Sequence, residues 1–159
     1  MAEKHLPVYG VGPYMVIAIV LITLAALILT YQNLLPNITT VQLNALFRVM
    51  GIISIIMGIV FWLSAVTRSR IDDSIRSNDL VTTGIYGYVR HPIYVAFLYM
   101  TSGIIMIYGN ILLFILPFFF WAFFTVTLKK TEEKWLIDLY GEDYITYSRN
   151  VNRFIPKVI

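Results

Sequence analysis

Three short segments concentrate the side chains of this chain that can do chemistry. The first is Thr83-Gly84-Ile85-Tyr86-Gly87-Tyr88-Val89-Arg90-His91-Pro92-Ile93-Tyr94. Its glycines permit tight turns or close approach of a ligand to the backbone. Its tyrosines supply hydroxyls and π faces. Pro92 suits the first position of a helix, and the residue before a proline is pushed out of helical geometry. His91 is therefore expected at the mouth of a helix, where unpaired backbone N–H groups suit an anionic group. The second segment is Lys129-Lys130-Thr131-Glu132-Glu133-Lys134-Trp135-Leu136. Neighbours on a helix point about 100° apart. The two carboxylates should thus divide, one facing a site and one pairing with Lys129, Lys130 or Lys134. The third segment runs from Tyr140-Gly141 through Glu142-Asp143-Tyr144-Ile145-Thr146-Tyr147-Ser148-Arg149-Asn150-Val151-Asn152-Arg153-Phe154 to Pro156. Gly141 is placed to end a helix that begins near Thr131. Each segment alone also fits a bland role: an interfacial belt, a solvated helical face, or a tail on anionic headgroups.

The elements that position these segments are membrane helices. The chain has 159 residues, 58% of them hydrophobic and 13% charged, against about 25% charged in an ordinary soluble domain. A surface this apolar needs lipid as its solvent. Four apolar runs stand out: 14–30, 45–66, 93–108 and 111–128. At about 1.5 Å per residue, the longer ones cover a bilayer core. The third run is short. Either residues before His91 extend it, or it forms a hairpin with the fourth, around Gly109-Asn110, that protein partly shields. The basic residues Arg68, Arg70, Arg76 and Arg90 fall in one connecting segment, and Lys129, Lys130, Lys134, Arg149, Arg153 and Lys157 in the tail. The stretch 31–44 and the Gly109-Asn110 turn have none. Four spans would place every basic segment, and both termini, in the cytoplasm. Arg48, near the outer interface, can snorkel. The expected architecture is an all-α polytopic bundle, a single membrane domain, with cytoplasmic segments 67–92 and 129–159.

Composition also excludes. No cysteine is present, which removes disulfides, thiolate metal sites and a cysteine nucleophile. The glycine-rich dinucleotide pattern GxGxxG does not occur. No metal site and no nucleic-acid partner is expected.

Taken together, the three segments resemble the isoprenylcysteine carboxyl methyltransferase family and its relatives, the phospholipid methyltransferases. The resemblance rests on Gly84-Ile85-Tyr86, Arg90-His91-Pro92-Ile93-Tyr94, Glu132-Glu133-Lys134-Trp135-Leu136, Tyr140-Gly141, Tyr144-Ile145-Thr146-Tyr147 and Pro156, in that order. It covers the chain from Leu80 onward, about half of it. It implies S-adenosyl-L-methionine as methyl donor, S-adenosylhomocysteine as product and a lipophilic acceptor drawn from the membrane, such as an isoprenylcysteine carboxylate or an aminolipid. The cofactor-binding residues it implies are Gly84, Ile85, Tyr86, Tyr88, Arg90, His91, Pro92, Tyr94, Glu132, Glu133, Tyr144 and Tyr147. His91, Glu133, Arg149 and Arg153 are its candidates for a catalytic part. Members acting on prenylated cysteine carry a basic residue and then Val-Pro after the paired tyrosines. Here Asn150-Val151-Asn152 stand instead, and Arg149 or Arg153 is the substitute. Two other classes compete: a membrane reductase using a nicotinamide cofactor, and a four-helix transporter or assembly protein. The apolar runs hold no ionisable residue except Arg48, which counts against proton-coupled transport.

Overall fold

The computed structural model describes residues 10–39, 44–68 and 80–156. Arg70, Arg76 and Lys157, counted above for topology, lie outside the described residues. Six α-helices are present among them: α1 (Gly12–Tyr31), α2 (Asn44–Arg68), α3 (Pro92–Tyr108), α4 (Ile115–Lys130), α5 (Glu132–Tyr140) and α6 (Glu142–Asn150). Short 3-10 turns occupy Gly84–Gly87 and Ile111–Phe114. The sole extended pairing among the described residues is a parallel bridge between Val89 and Asn152. The expected all-α bundle is what forms.

Among the described residues, three helical stretches each contain a segment long and apolar enough to cross a membrane: Gly12–Tyr31, Ala45–Thr67 and Ile111–Tyr140. Only 22% of each spanning window is buried within the protein. The rest, including Ile52, Ile56, Leu63, Phe118 and Trp121, presents apolar surface that water would not tolerate. The chain is an integral membrane protein.

The short helix α3 is the centre of the bundle. It packs along α2 and also touches α1 and α4. The structure decides between the two ways of accommodating its length. Pro92 opens the helix and His91, at φ −127° and ψ 65°, is outside it, so no residue before His91 extends it. Instead α3 is enclosed by protein: Val95, Ala96 and Ile105 are fully buried. Small residues make the α2–α3 contact close. A Cβ on Gly51 would stand 2.6 Å from the Gly103 carbonyl oxygen, and one on Gly58 2.7 Å from that of Ala96. Ser54 Oγ donates across the seam to the Tyr99 carbonyl at 2.8 Å. Such small-residue seams are how membrane helices gain van der Waals contact without a hydrophobic driving force.

At the far end, Gly109 closes α3 with φ 82°, a left-handed geometry that favours glycine. Asn110 is fully buried and satisfied. Its Oδ1 accepts from the Ile38 and Leu112 amides, each at 3.1 Å, and its Nδ2 donates to the Pro36 carbonyl at 2.9 Å. One side chain thus pins the α1–α2 connection to the hairpin turn. Pro117 falls in the first turn of α4, where its missing N–H costs nothing.

Candidate functional site

At the opposite end of α3, three breaks in the helical backbone bring the three polar segments together. The chain enters α3 through non-helical His91. It leaves α4 through Thr131, at φ −121° and ψ −89°, and resumes as α5 at Glu132. Gly141, at φ 56°, turns the chain again into α6. The tail then folds back along the segment before α3. The Arg90 amide donates to the Asn152 carbonyl at 2.9 Å beside the Val89–Asn152 bridge.

Glu133 is the node of this layer. Arg153 grips its carboxylate with two parallel bonds, Nε to Oε1 and Nη2 to Oε2, both 2.7 Å. Arg90 Nη1 lies 3.4 Å from Oε1, and His91 Nε2 3.3 Å from the same oxygen. The other face of the imidazole meets Glu132, with Nδ1 3.8 Å from Oε2. Glu132 Oε1 accepts the Tyr94 hydroxyl. The two carboxylates therefore flank one histidine, and the expected division, with one partnered by lysine, is corrected. Side chains 100° apart on a helix cannot share a surface, but they can reach opposite edges of a ring inserted between them. Lys129, Lys130 and Lys134 are exposed instead.

Burial alone would raise the Glu133 carboxyl pKa. The hydrogen bonds from His91 and Arg153 and the charges of Arg90 and Arg153 outweigh it and hold the group well below the usual carboxylate range. Burial, with the Glu132 charge behind it, pushes the Tyr86 hydroxyl up to about 12. Tyr86 is thus neutral near Glu132 at physiological pH. Tyr144 is likewise pushed up to about 12, chiefly by burial and then by the Glu133 charge, against the pull of Arg90 and Arg153. Its hydroxyl accepts from Arg90 Nη1 at 3.5 Å. Tyr147 donates to the Tyr86 carbonyl at 2.7 Å and tacks α6 onto the Gly84–Gly87 turn. One buried side-chain polar atom is left over among the described residues: Arg90 Nε has no partner. An unpaired buried donor costs free energy, and this one can be satisfied by an anionic or carbonyl oxygen of a ligand.

Of the residues singled out from sequence, Tyr86, Arg90, His91, Pro92, Tyr94, Glu132, Glu133, Tyr144, Tyr147 and Arg153 converge here. Ile85 packs against the main apolar core. Gly84 supplies a φ of 63° to the turn with open space around it. The amides of Tyr88 and Val89 are taken by the Ile85 carbonyl. Tyr88 and Arg149 are exposed. Arg153 is turned inward and both arms of its fork are held by Glu133. Sequence reasoning missed the floor of the site. Phe154 is buried against His91 and Phe124, with ring centroids 6.5 and 6.3 Å away, and Phe124 meets Tyr94 edge-on at 5.3 Å. It also missed Gly10 and Gly12, before and at the start of α1. A Cβ on either would stand 3.4 or 3.6 Å from Glu132 Oε1. Only the spacing of two glycines ahead of the first apolar run marked that segment.

The family model for phospholipid methyltransferases matches residues 46–143, from the start of α2 to the first turn of α6. The chain belongs to the phospholipid methyltransferase family. The protein-S-isoprenylcysteine O-methyltransferase of Schizosaccharomyces pombe is 42% identical over 95 residues, covering 57% of this chain and 39% of the yeast protein. The enzyme of the same name from Saccharomyces cerevisiae is 38% identical over 78 residues, 48% of this chain and 32% of its own. The human one is 33% identical over 81 residues, 50% of this chain and 28% of its own. The chain thus spans about two fifths or less of the curated relatives it matches. No solved structure matches. The reductase and transporter readings find no support in these likenesses.

Proposed function

We propose that this family member transfers a methyl group from S-adenosylmethionine to a lipophilic acceptor, at a site where the helical bundle meets the cytoplasm. The observation that carries the reading is the buried cluster itself. An unpartnered Arg90 Nε, a Glu132 carboxylate, a His91 flanked by two carboxylates and several tyrosine faces lie together at one end of lipid-facing helices. The donor set fits S-adenosylmethionine. In this reading Arg90 Nε would take a carboxylate, Glu132 a ribose hydroxyl or an ammonium, and the rings of Tyr86 and Tyr94 a cation over their faces. When bound, the cofactor supplies an electrophilic methyl on sulfur for in-line displacement.

What the chain contributes is alignment and exclusion of water. Tyr94 and His91 hold Glu132 from two sides. Glu133, neutralised by Arg153 and Arg90, fixes His91 and ties the tail over the cluster. Phe154 and Phe124 close the floor against the bilayer side. A carboxylate or thiolate acceptor needs no base. A protonated amine does, and in this reading His91 would take its proton. Arg153 is committed to Glu133, so a substrate carboxylate would look to Arg90 or to the exposed Arg149. Four spans with both termini in the cytoplasm put this layer where a water-soluble cofactor arrives, while the acceptor reaches it laterally through lipid.

The test is a methyl-transfer assay with radiolabelled S-adenosylmethionine and protein in vesicles. Acceptors are a farnesylated cysteine with a free carboxylate, an aminolipid, and each headgroup stripped of its chain. Transfer to at least one lipophilic acceptor, and to no stripped one, is expected. Transfer confined to water-soluble acceptors would contradict the reading.

A further inference from the structure

The matched family region begins at residue 46, yet one wall of the cluster comes from before it. The segment Gly10-Val11-Gly12 leads into α1, which Met15 and Ile19, both buried, fix against the core. At Gly12 a Cβ would stand 2.6 Å from the Tyr94 hydroxyl oxygen and 3.4 Å from Cζ, with Glu132 Oε1 at 3.6 Å. At Gly10, whose φ is +32°, a Cβ would stand 3.4 Å from Glu132 Oε1 and 3.7 Å from the Trp135 ring. The backbone here is in contact with the hydrogen bond between Tyr94 and Glu132, and there is no room for a side chain at Gly12 while that bond stands.

We propose that Gly12 is a positioning residue of the donor site: its missing side chain admits the Tyr94 hydroxyl and so fixes which way Glu132 faces. The inference rests on the donor-site reading above. The first turn of α1 adds to the same effect. Its unpaired amides give that end of the helix a partial positive charge, and α1 has no acidic residue of its own in the first turn. Glu132, reaching across from α5, supplies a carboxylate beside it.

The test is a double-mutant cycle on detergent-purified full-length chain, with Gly12→Ala and Tyr94→Phe alone and combined. S-adenosylhomocysteine affinity is read by calorimetry and unfolding by thermal melting. The Tyr94→Phe change removes the one atom that the new Cβ meets at 2.6 Å and leaves the ring. Gly12→Ala should weaken binding about tenfold when Tyr94 is intact and by about twofold or less when it is combined with Tyr94→Phe, as coupled neighbours do. The same non-additivity should appear in the melting temperature. Equal losses in both backgrounds, or none in either, would overturn the proposal and leave Gly12 a plain helix-packing residue. If wild type binds no S-adenosylhomocysteine, the donor-site reading fails. The melting cycle still decides whether Gly12 and Tyr94 are coupled.

Discussion

At the scale of the residue, the site is organised by Glu133 and oriented by Glu132. Both were legible in the sequence as an adjacent acidic pair, but their roles were not. A pattern of neighbours on one helix says how far apart they point. It does not say that a histidine from another element will stand between them. Nor could sequence show that Arg153, twenty positions on, bends back onto Glu133, because that follows from the turn at Gly141 and the Val89–Asn152 bridge. Removing one partner of a buried ion pair strands the others. Glu133→Ala leaves the Arg153 and Arg90 charges without the carboxylate between them and is expected to destabilise the folded protein by about 3–5 kcal/mol, read by thermal unfolding in micelles. Glu133 also carries a pH signature. Its folded pKa is depressed below the ordinary 4.5, so its contribution is fully present above that value and is lost as pH falls below it toward the depressed one. Wild-type stability should fall more steeply below pH 4.5 than that of Glu133→Gln. Parallel curves for the two would contradict the assignment.

At the scale of the element, the helix boundaries were the most legible part. His91-Pro92, Gly109-Asn110 and Gly141 each end or begin an element where backbone chemistry requires it. The α2–α3 seam was not read, since Gly51, Gly58 and Gly103 look like ordinary members of apolar runs. What singles them out is a partner's backbone less than 3 Å from a hypothetical Cβ. This separates two kinds of glycine. Gly51→Ala is expected to force α2 from α3 at a cost of about 1–3 kcal/mol, an overpacking effect. Gly84→Ala meets no atom within 4 Å, and its cost of about 1–2 kcal/mol comes from the left-handed backbone alone. Replacing Gly84 with asparagine, which tolerates that region, should recover much of the loss. The same replacement at Gly51 should cost more than alanine. Thermal melting of the four variants checks the pattern.

At the scale of the whole molecule, composition already required lipid. The order of basic and bare connections gave a topology whose weak point is α3, a helix of 17 residues and about 26 Å. If α3 crosses, three spans separate position 34 from position 146. If it does not, two do. The absence of cysteine makes the question direct. Leu34→Cys and Thr146→Cys, both at exposed positions, are expected to react with an impermeant maleimide from opposite faces of the membrane. Labelling from one face would remove α3 from the spans. The central claim concerns the polar layer around Glu132 and Glu133, and calorimetry of S-adenosylhomocysteine binding to the detergent-purified wild type, beside Glu132→Gln, tests it most directly. The account predicts saturable binding to wild type and at least about tenfold weaker binding to a variant that melts normally, the loss expected when a charged hydrogen-bond partner is neutralised. Absence of binding by folded wild type, or equal affinity of the two proteins, would contradict it.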